Sequence, residues 1–344
     1  MNLIEEIHSY LSREISAMNA VIVENLAVEE ELITLISNHL SKAGGKRMRP
    51  ILTILSAKML GDAGEPGSSG EPDDAGEVLG SESSAIKLAA AVEFIHMATL
   101  LHDDVVDGSK MRRFLPSANV VWGSRASILV GDFLFSQSFK LIVSTGSIPA
   151  LRALSSASAV IAEGEVSQLA HLEQKSMVSE AEYLKIIGAK TAELFGASCE
   201  VGAIIAGKES SAKTMRDFGI CLGKIFQITD DMLDYFSDSA KVGKNVGDDF
   251  FEGKVTLPLI LLSKKISADD NLSLQKMLQA ESRTSEDFLR VKTLMQENDI
   301  NTEITNYLAE LEQTALVLLR SLSIQNQYCK FLENLVEFAI NRTY

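Results

Sequence analysis

The chain has 344 residues, 46% of them apolar, a formal net charge of −15 and three cysteines. That length suits one large domain or two ordinary ones with a sizeable core. The acidic balance excludes nucleic acid as the main partner, because that role requires a basic face.

The N-terminus, Met1-Asn2-Leu3-Ile4-Glu5-Glu6, is acidic and lacks the apolar stretch of a signal peptide. No apolar run is expected to span a bilayer, since the longest candidate, 255–262, is short and contains Pro258. Cys199, Cys221 and Cys329 have no metal-ligand spacing and fit a reducing compartment. A cytoplasmic protein is expected, with peripheral membrane contact left open. Apolar residues recur at three- and four-residue spacing through 26–40, 85–106, 128–143, 183–206, 215–236 and 288–295, which predicts helices. Sustained alternation is scarce. Ser179-Glu180-Ala181-Glu182 has the form of a capping box. The prediction is an all-α protein, a single helical bundle over 1–344. Residues 61–84, rich in Gly, Ser, Pro, Asp and Glu, read as a mobile acidic surface loop within it. The amphipathic helices beyond residue 263 carry no interpretable cluster and complete the bundle or a subunit interface.

One carboxylate pattern occurs twice: Asp103-Asp104-Val105-Val106-Asp107 and Asp230-Asp231-Met232-Leu233-Asp234. Residues four apart share a helix face, so each copy builds a row of hard oxygen ligands. Two like charges about 6 Å apart repel by roughly 3 kcal/mol at an effective dielectric of about 20. Divalent cations relieve that repulsion, and Mg²⁺ is the natural candidate because it takes few carboxylates together with water and substrate phosphates. A calcium loop is excluded. It needs glycine at the sixth position and glutamate at the twelfth, whereas the twelfth residue from Asp103 is Phe114 and the sixth from Asp230 is Tyr235.

Other polar residues attend the two motifs. His96 lies two helical turns before Asp103, on one stripe with Thr99, Asp103 and Asp107. Lys110-Met111-Arg112-Arg113 follows the first motif; its arginines read either as solvated charge or as bidentate phosphate ligands. Gly44-Gly45-Lys46-Arg47-Met48-Arg49-Pro50 has the form of a phosphate cradle at a loop-to-helix junction, although a plain surface loop fits as well. Gln227 precedes Asp231 by four residues and shares its stripe, Lys190-Thr191 opens an apolar run, and Gly243-Lys244 and Gly253-Lys254 flank Asp248 and Asp249.

Taken in order, these segments, with Glu93 to His102 before the first motif, Glu163-Gly164-Glu165-Val166-Ser167-Gln168-Leu169, and Phe226-Gln227-Ile228-Thr229 before the second, closely resemble the trans-prenyltransferase (polyprenyl synthetase) family over roughly residues 3 to 340. The resemblance implies an all-α isoprenoid-synthase bundle around a central cavity, usually a homodimer. It implies that Asp103, Asp104, Asp107, Asp230, Asp231 and Asp234 hold Mg²⁺ ions that bind the diphosphate of an allylic substrate. Arg112, Lys190, Lys244 and Lys254 match contacts to that diphosphate, and Thr191 and Gln227 match polar residues near the reacting centre. Lys46, Arg49, His96 and Arg113 match the site for isopentenyl diphosphate. One departure is Phe114, where the family commonly has glycine.

The implied reaction ionises an allylic C–O bond and joins the cation to the double bond of isopentenyl diphosphate. No Ser-His-Asp or Cys-His arrangement competes with it. In the family, residues one turn before the first motif line the product wall, and short-chain members place an aromatic there. Here they are Ala98 and Thr99, so a long product, octaprenyl or longer, is expected, with Phe133, Phe135 or Phe139 as deeper stops and Ala98→Phe as a shortening change. The rival readings are a farnesyl or geranylgeranyl diphosphate synthase, a terpene cyclase of the same fold, and a non-catalytic subunit of a heteromeric synthase. The cyclase needs no second diphosphate site, and the non-catalytic subunit would have lost one acidic motif.

Overall fold

The computed structural model of the protein describes residues 2–42, 44–61, 75–112, 115–174, 177–237 and 246–342. Almost all of them are helical, as the three- and four-residue periodicity predicts. The exception is a small antiparallel pair, Met111–Arg112 with Leu115–Pro116, in register Met111 with Pro116 and Arg112 with Leu115. Two boundaries differ from expectation. The run 26–40 is broken into Ser12–Leu26 and Glu31–Lys42. The freed Leu26 carbonyl there accepts the Val28 amide at 3.0 Å and the Thr34 hydroxyl at 2.9 Å. The second difference is at 61–84, read as a loop. A helix, Ala75–Val106, begins inside that segment, while 62–74 lie outside the described residues.

The chain divides into two compact units. One comprises Met1–Ser158, Leu194–Gly219 and Leu318–Leu335. Its centre is the helix Ala75–Val106, which buries Phe94, Ile95, Met97, Ala98 and Leu101. It packs along Ser124–Ser144, which buries Val130, Leu134 and Leu141, and along Met48–Gly61. Contrary to the sequence expectation, Ser81–Val106 and Ser124–Ser144 are each long and apolar enough to cross a membrane. Packing inside the protein takes up 61% of the most apolar window of the first and 44% of that of the second. Lys58 ties three helices of this unit together through Glu14 at 2.8 Å and Glu82 at 3.0 Å.

The other unit comprises Ala159–Glu193, Ile220–Val317 and Val336–Tyr344. The end of the helix Glu209–Phe236 runs through it and buries Ile225, Ile228 and Tyr235. Tyr235, Phe250, Phe251 and Phe288 form an aromatic cluster with centroids 5.6–5.9 Å apart, and Leu257, Val291 and Met295 are also buried. This cluster seats the second acidic motif, because Tyr235 follows Asp234 directly. In both units, therefore, an acidic motif sits at the C-terminal end of a long, well-packed helix.

Candidate active site

In the first unit, Asp103 and Asp104 occupy the last turn of Ala75–Val106, and the Asp107 amide bonds the Asp103 carbonyl at 2.8 Å, so the helical path continues through the motif. The three side chains separate by exposure: Asp107 is exposed, Asp103 half-buried and Asp104 buried, at 1%. Burial of an unpaired carboxylate is costly, and Asp104 is paired. The Arg112 guanidinium donates to it from Nε at 2.9 and 3.1 Å and from Nη2 at 2.7 Å, a forked charge-assisted contact. Asn119 donates to the Asp104 carbonyl at 2.9 Å and fixes the turn that follows. Arg113 and Phe114, between the two short strands, lie outside the described residues.

The same unit brings Arg49 and His96 together. Arg49 Nη1 lies 3.1 Å from His96 Nε2. A guanidinium only donates, so this ring nitrogen accepts. The guanidinium also lies 4.7 Å from the centre of the Phe195 ring, a cation–π distance. Lys46 precedes Arg47, whose backbone is left-handed at φ 46° and whose side chain is held by Asn19 and, at 4.0 Å, by Glu93. Arg47 therefore anchors the loop, and Lys46 and Arg49 flank it. On the motif stripe, Thr99 is half-buried and donates to the His96 carbonyl at 2.8 Å, whereas Ala98 is 1% exposed and belongs to the core.

In the second unit a cavity of about 360 Å³ is lined by Lys190, Thr191, Gln227, Asp231, Asp249 and Lys254, among others. Lys190 and Thr191 lie in a π-helical turn, Gly188–Ala192, inserted between Glu180–Ile187 and Glu193–Ile205. Such turns shift the register of the helix that follows and recur at functional sites. Gly164 lets a neighbouring helix approach this turn, since a Cβ there would fall 2.7 Å from Ala189 Cβ. The next residue, Glu165, thus meets Lys190 at 2.9 Å. Thr191 donates to Gln227 Oε1 at 2.8 Å, Gln227 Nε2 donates to Asp231 Oδ1 at 2.8 Å, and the Tyr183 hydroxyl donates to Asp231 Oδ2 at 2.6 Å. Lys254 pairs with Glu252 at 2.7 Å. Lys244 lies outside the described residues.

In the second motif, too, the middle aspartate is the buried one. Asp231 is buried, at 3%. Burial and the charge of Asp249 push its carboxyl well above the usual carboxylate range. Asp230 is 45% exposed and pairs at 2.9 Å with Arg342, whose side chain is buried beside the Phe226 ring at 3.8 Å. Asp234 accepts the amides of Gly247 at 3.3 Å and Asp249 at 3.1 Å, and burial together with Asp249 raises it to about 7. Among the described residues, no three His, Cys, Asp or Glu side chains converge to hold a metal by themselves. Asp103 and Asp107 form an outward pair that fits a hard cation completing its shell with water and phosphate oxygens, whereas in the second motif only Asp230 is turned outward, since both oxygens of Asp234 accept backbone amides.

A profile of the polyprenyl synthetase family matches residues 30–295. The chain belongs to this family. It is 41% identical over 261 residues to the octaprenyl diphosphate synthase of Escherichia coli K12, covering 76% of this chain and 75% of that one. It is 36% identical over 338 residues to the all-trans-nonaprenyl-diphosphate synthase (geranyl-diphosphate specific) of Rhodobacter capsulatus, covering 98% of each. The crystal structure of a polyprenyl synthase from Caulobacter crescentus CB15, complexed with calcium and isoprenyl diphosphate, superposes with a TM-score of 0.87 at 38% identity and covers 99% of this chain and 98% of that one. The protein is accordingly a trans-prenyltransferase with the all-α fold of the isoprenyl synthases.

For this polyprenyl synthetase the structure assembles Lys190, Thr191, Gln227, Asp231 and Lys254 around one cavity, and Arg49 with His96 beside one loop. It also supplies partners that sequence reasoning missed: Tyr183, Glu165, Arg342 and, for Arg112, the carboxylate of Asp104. Tyr183 and Arg342 meet partners distant in sequence, whereas Glu165 and the Asp104–Arg112 pair lie in segments that were singled out without their pairing being legible. A pH prediction follows from Asp234. Its folded-state value, about 7, lies above the ordinary 3.8. The folded state therefore keeps a proton that the unfolded chain has released, and stability present below about pH 4 is lost as pH rises through about 7. Asp234→Asn cannot ionise, so in EDTA its melting temperature should gain on that of the native protein from about pH 5 to about pH 8. A difference independent of pH would refute the assignment.

Proposed function

We propose that the protein condenses an allylic diphosphate with successive isopentenyl diphosphate units, with Mg²⁺, to give an all-trans polyprenyl diphosphate of octaprenyl length or longer. The observation that carries this reading is that both acidic motifs are intact and each presents its first aspartate outward: Asp103 half-buried and Asp230 partly exposed. Asp107 completes the first pair, Asp234 lies beside Asp230 with its oxygens on the Gly247 and Asp249 amides, and Asp104 and Asp231 turn inward as anchors. A non-catalytic subunit would have no need of two such rows.

Bound Mg²⁺ supplies charge stabilisation for the departing diphosphate. Arg112, Lys190, Lys244 and Lys254 bind the same group, with Arg112 aimed by Asp104 and Lys190 by Glu165. Lys46, Arg49, His96 and Arg113 bind isopentenyl diphosphate. As the allylic C–O bond breaks, Thr191 and Gln227 lie near the growing positive charge, with the threonine hydroxyl donated to the Gln227 oxygen. The isopentenyl double bond then attacks, and a proton leaves to the released diphosphate. Each 1.36 kcal/mol of preorganised stabilisation is about tenfold in rate. The reading is tested with purified protein, Mg²⁺, radiolabelled isopentenyl diphosphate and several allylic primers, by sizing the dephosphorylated products. Asp103→Ala or Asp230→Ala should lower turnover at least ~10²-fold, and near-normal turnover in both would reject the roles.

Thr99 supports the long product, since it is small and sits on the half-exposed stripe before Asp103. Thr99→Phe should shorten the chain. Ala98→Phe is the poorer test, because at a buried position it overpacks the core. An unchanged product distribution from a stably folded Thr99→Phe variant would reject the wall assignment.

We further propose a cytoplasmic homodimer. Free, scattered cysteines support the compartment. The exposed apolar residues Val120, Val121, Ile128, Leu129 and Val143 support self-association. Sedimentation should give a dimer, and Leu129→Glu should shift it toward monomer. A monomeric native protein would refute the dimer. Peripheral membrane contact at product release remains part of this proposal, since a long prenyl chain needs an apolar destination.

A further inference from the structure

The buried bond between Tyr183 and Asp231 has a consequence for the cavity. We propose that Tyr183 is a positioning residue which, through Asp231, fixes the orientation of the Gln227 amide and so turns the oxygen lone pairs of Thr191 toward the reacting carbon. This rests on the prenyl-transfer reading above and adds to it a residue outside both acidic motifs.

A side-chain amide fits a site in either of two orientations, and its neighbours decide which. Here Asp231 Oδ2 accepts the Tyr183 hydroxyl at 2.6 Å, which fixes the plane of the carboxyl group. Oδ1 is left as a pure acceptor, and Gln227 must present Nε2 to it, at 2.8 Å. The amide oxygen then faces Thr191, whose only hydroxyl proton goes to it at 2.8 Å. What Thr191 has left for the cavity is lone pairs. With the amide reversed, its NH₂ group would donate to Thr191, and the threonine proton would point at a carbon acquiring positive charge. That dipole opposes ionisation of the C–O bond, whereas the observed one favours it.

Tyr183 is itself held in place. Its helix, Glu180–Ile187, starts at a reciprocal capping box between Ser179 and Glu182, and the ring is 3% exposed. Phenylalanine fills the same space but leaves Oδ2 without its donor. The carboxyl is then held from one side only and can rotate away from Gln227, so the amide loses the acceptor that sets its orientation. Asp231 on this view acts as the hinge of a relay rather than as a metal ligand, since both of its oxygens are already engaged.

The test is a double-mutant cycle on the full chain, with Mg²⁺, radiolabelled isopentenyl diphosphate and farnesyl diphosphate. Tyr183→Phe should lower kcat about tenfold, with KM for both substrates unchanged to within about twofold. The double variant Tyr183→Phe with Thr191→Ala should be no slower than Thr191→Ala alone, to within about twofold, because no threonine oxygen remains to be oriented. Multiplying effects, a change in KM alone, or an unaffected kcat would overturn the proposal. Should Tyr183→Phe fail to fold, Asp231 carries the test. Asparagine still offers Gln227 a carbonyl oxygen, so Asp231→Asn should keep at least about ten times the kcat of Asp231→Ala, and equal losses would overturn the relay. If the native protein itself makes no prenyl product, the functional reading falls instead.

Discussion

The arrangement depends on how a helix disposes of three aspartates spaced D-D-x-x-D. Consecutive side chains diverge by about 100° around a helix axis, so the first and last aspartates share a face and the second turns away from it. At the end of a well-packed helix that direction leads into the protein. Asp104 and Asp231 are both buried as a result. A buried carboxylate without partners costs several kcal/mol, so each must recruit donors, and those donors become site residues. Arg112 is placed by Asp104, and Gln227 and Tyr183 are tied together by Asp231.

The two motifs meet this requirement differently. Asp104 is answered by a full positive charge in fork geometry, which neutralises it on the spot. Asp231 receives only neutral donors and has Asp249 nearby, so its environment stays negative. Asp234 shares that environment and holds its proton to about 7 even with two backbone amides pointing at it. The second motif is therefore the more electrostatically loaded of the two. Arg342 relieves it in part at Asp230, whose side chain is partly exposed. Cations arriving with a diphosphate would have most to offer here.

Local signals account for much of what was legible in advance. Periodicity located the helices, the Ser179 capping box is present as read, and the four-residue interval between Gln227 and Asp231 is a 2.8 Å hydrogen bond. The break after Leu26 escaped notice because apolar spacing continues across it and only the Thr34 hydroxyl marks the change. The π-helical turn at Gly188–Ala192 left no trace in the periodicity, since one added residue per turn is absorbed within the apolar run. Arg342 and Tyr183 were illegible for a different reason. Their partners are distant in sequence, and a lone tyrosine on a helix, or a lone arginine just past the end of one, has no spacing to betray it.

Ala98 and Thr99, the residues expected at the product wall, show why side-chain size alone was an incomplete guide. Both are small, but for different reasons. Ala98 faces the core, where a methyl group lets the helix Ala75–Val106 lie close to its neighbours. Thr99 lies half-buried on the stripe that leads to Asp103. Its hydroxyl is bonded back to the His96 carbonyl at 2.8 Å, so its polar demand is met within the helix. What remains for the adjacent space is a methyl group, which suits a growing hydrocarbon better than a free hydroxyl would. Threonine here combines a short side chain with an apolar outward face, and valine is the substitution that would preserve both.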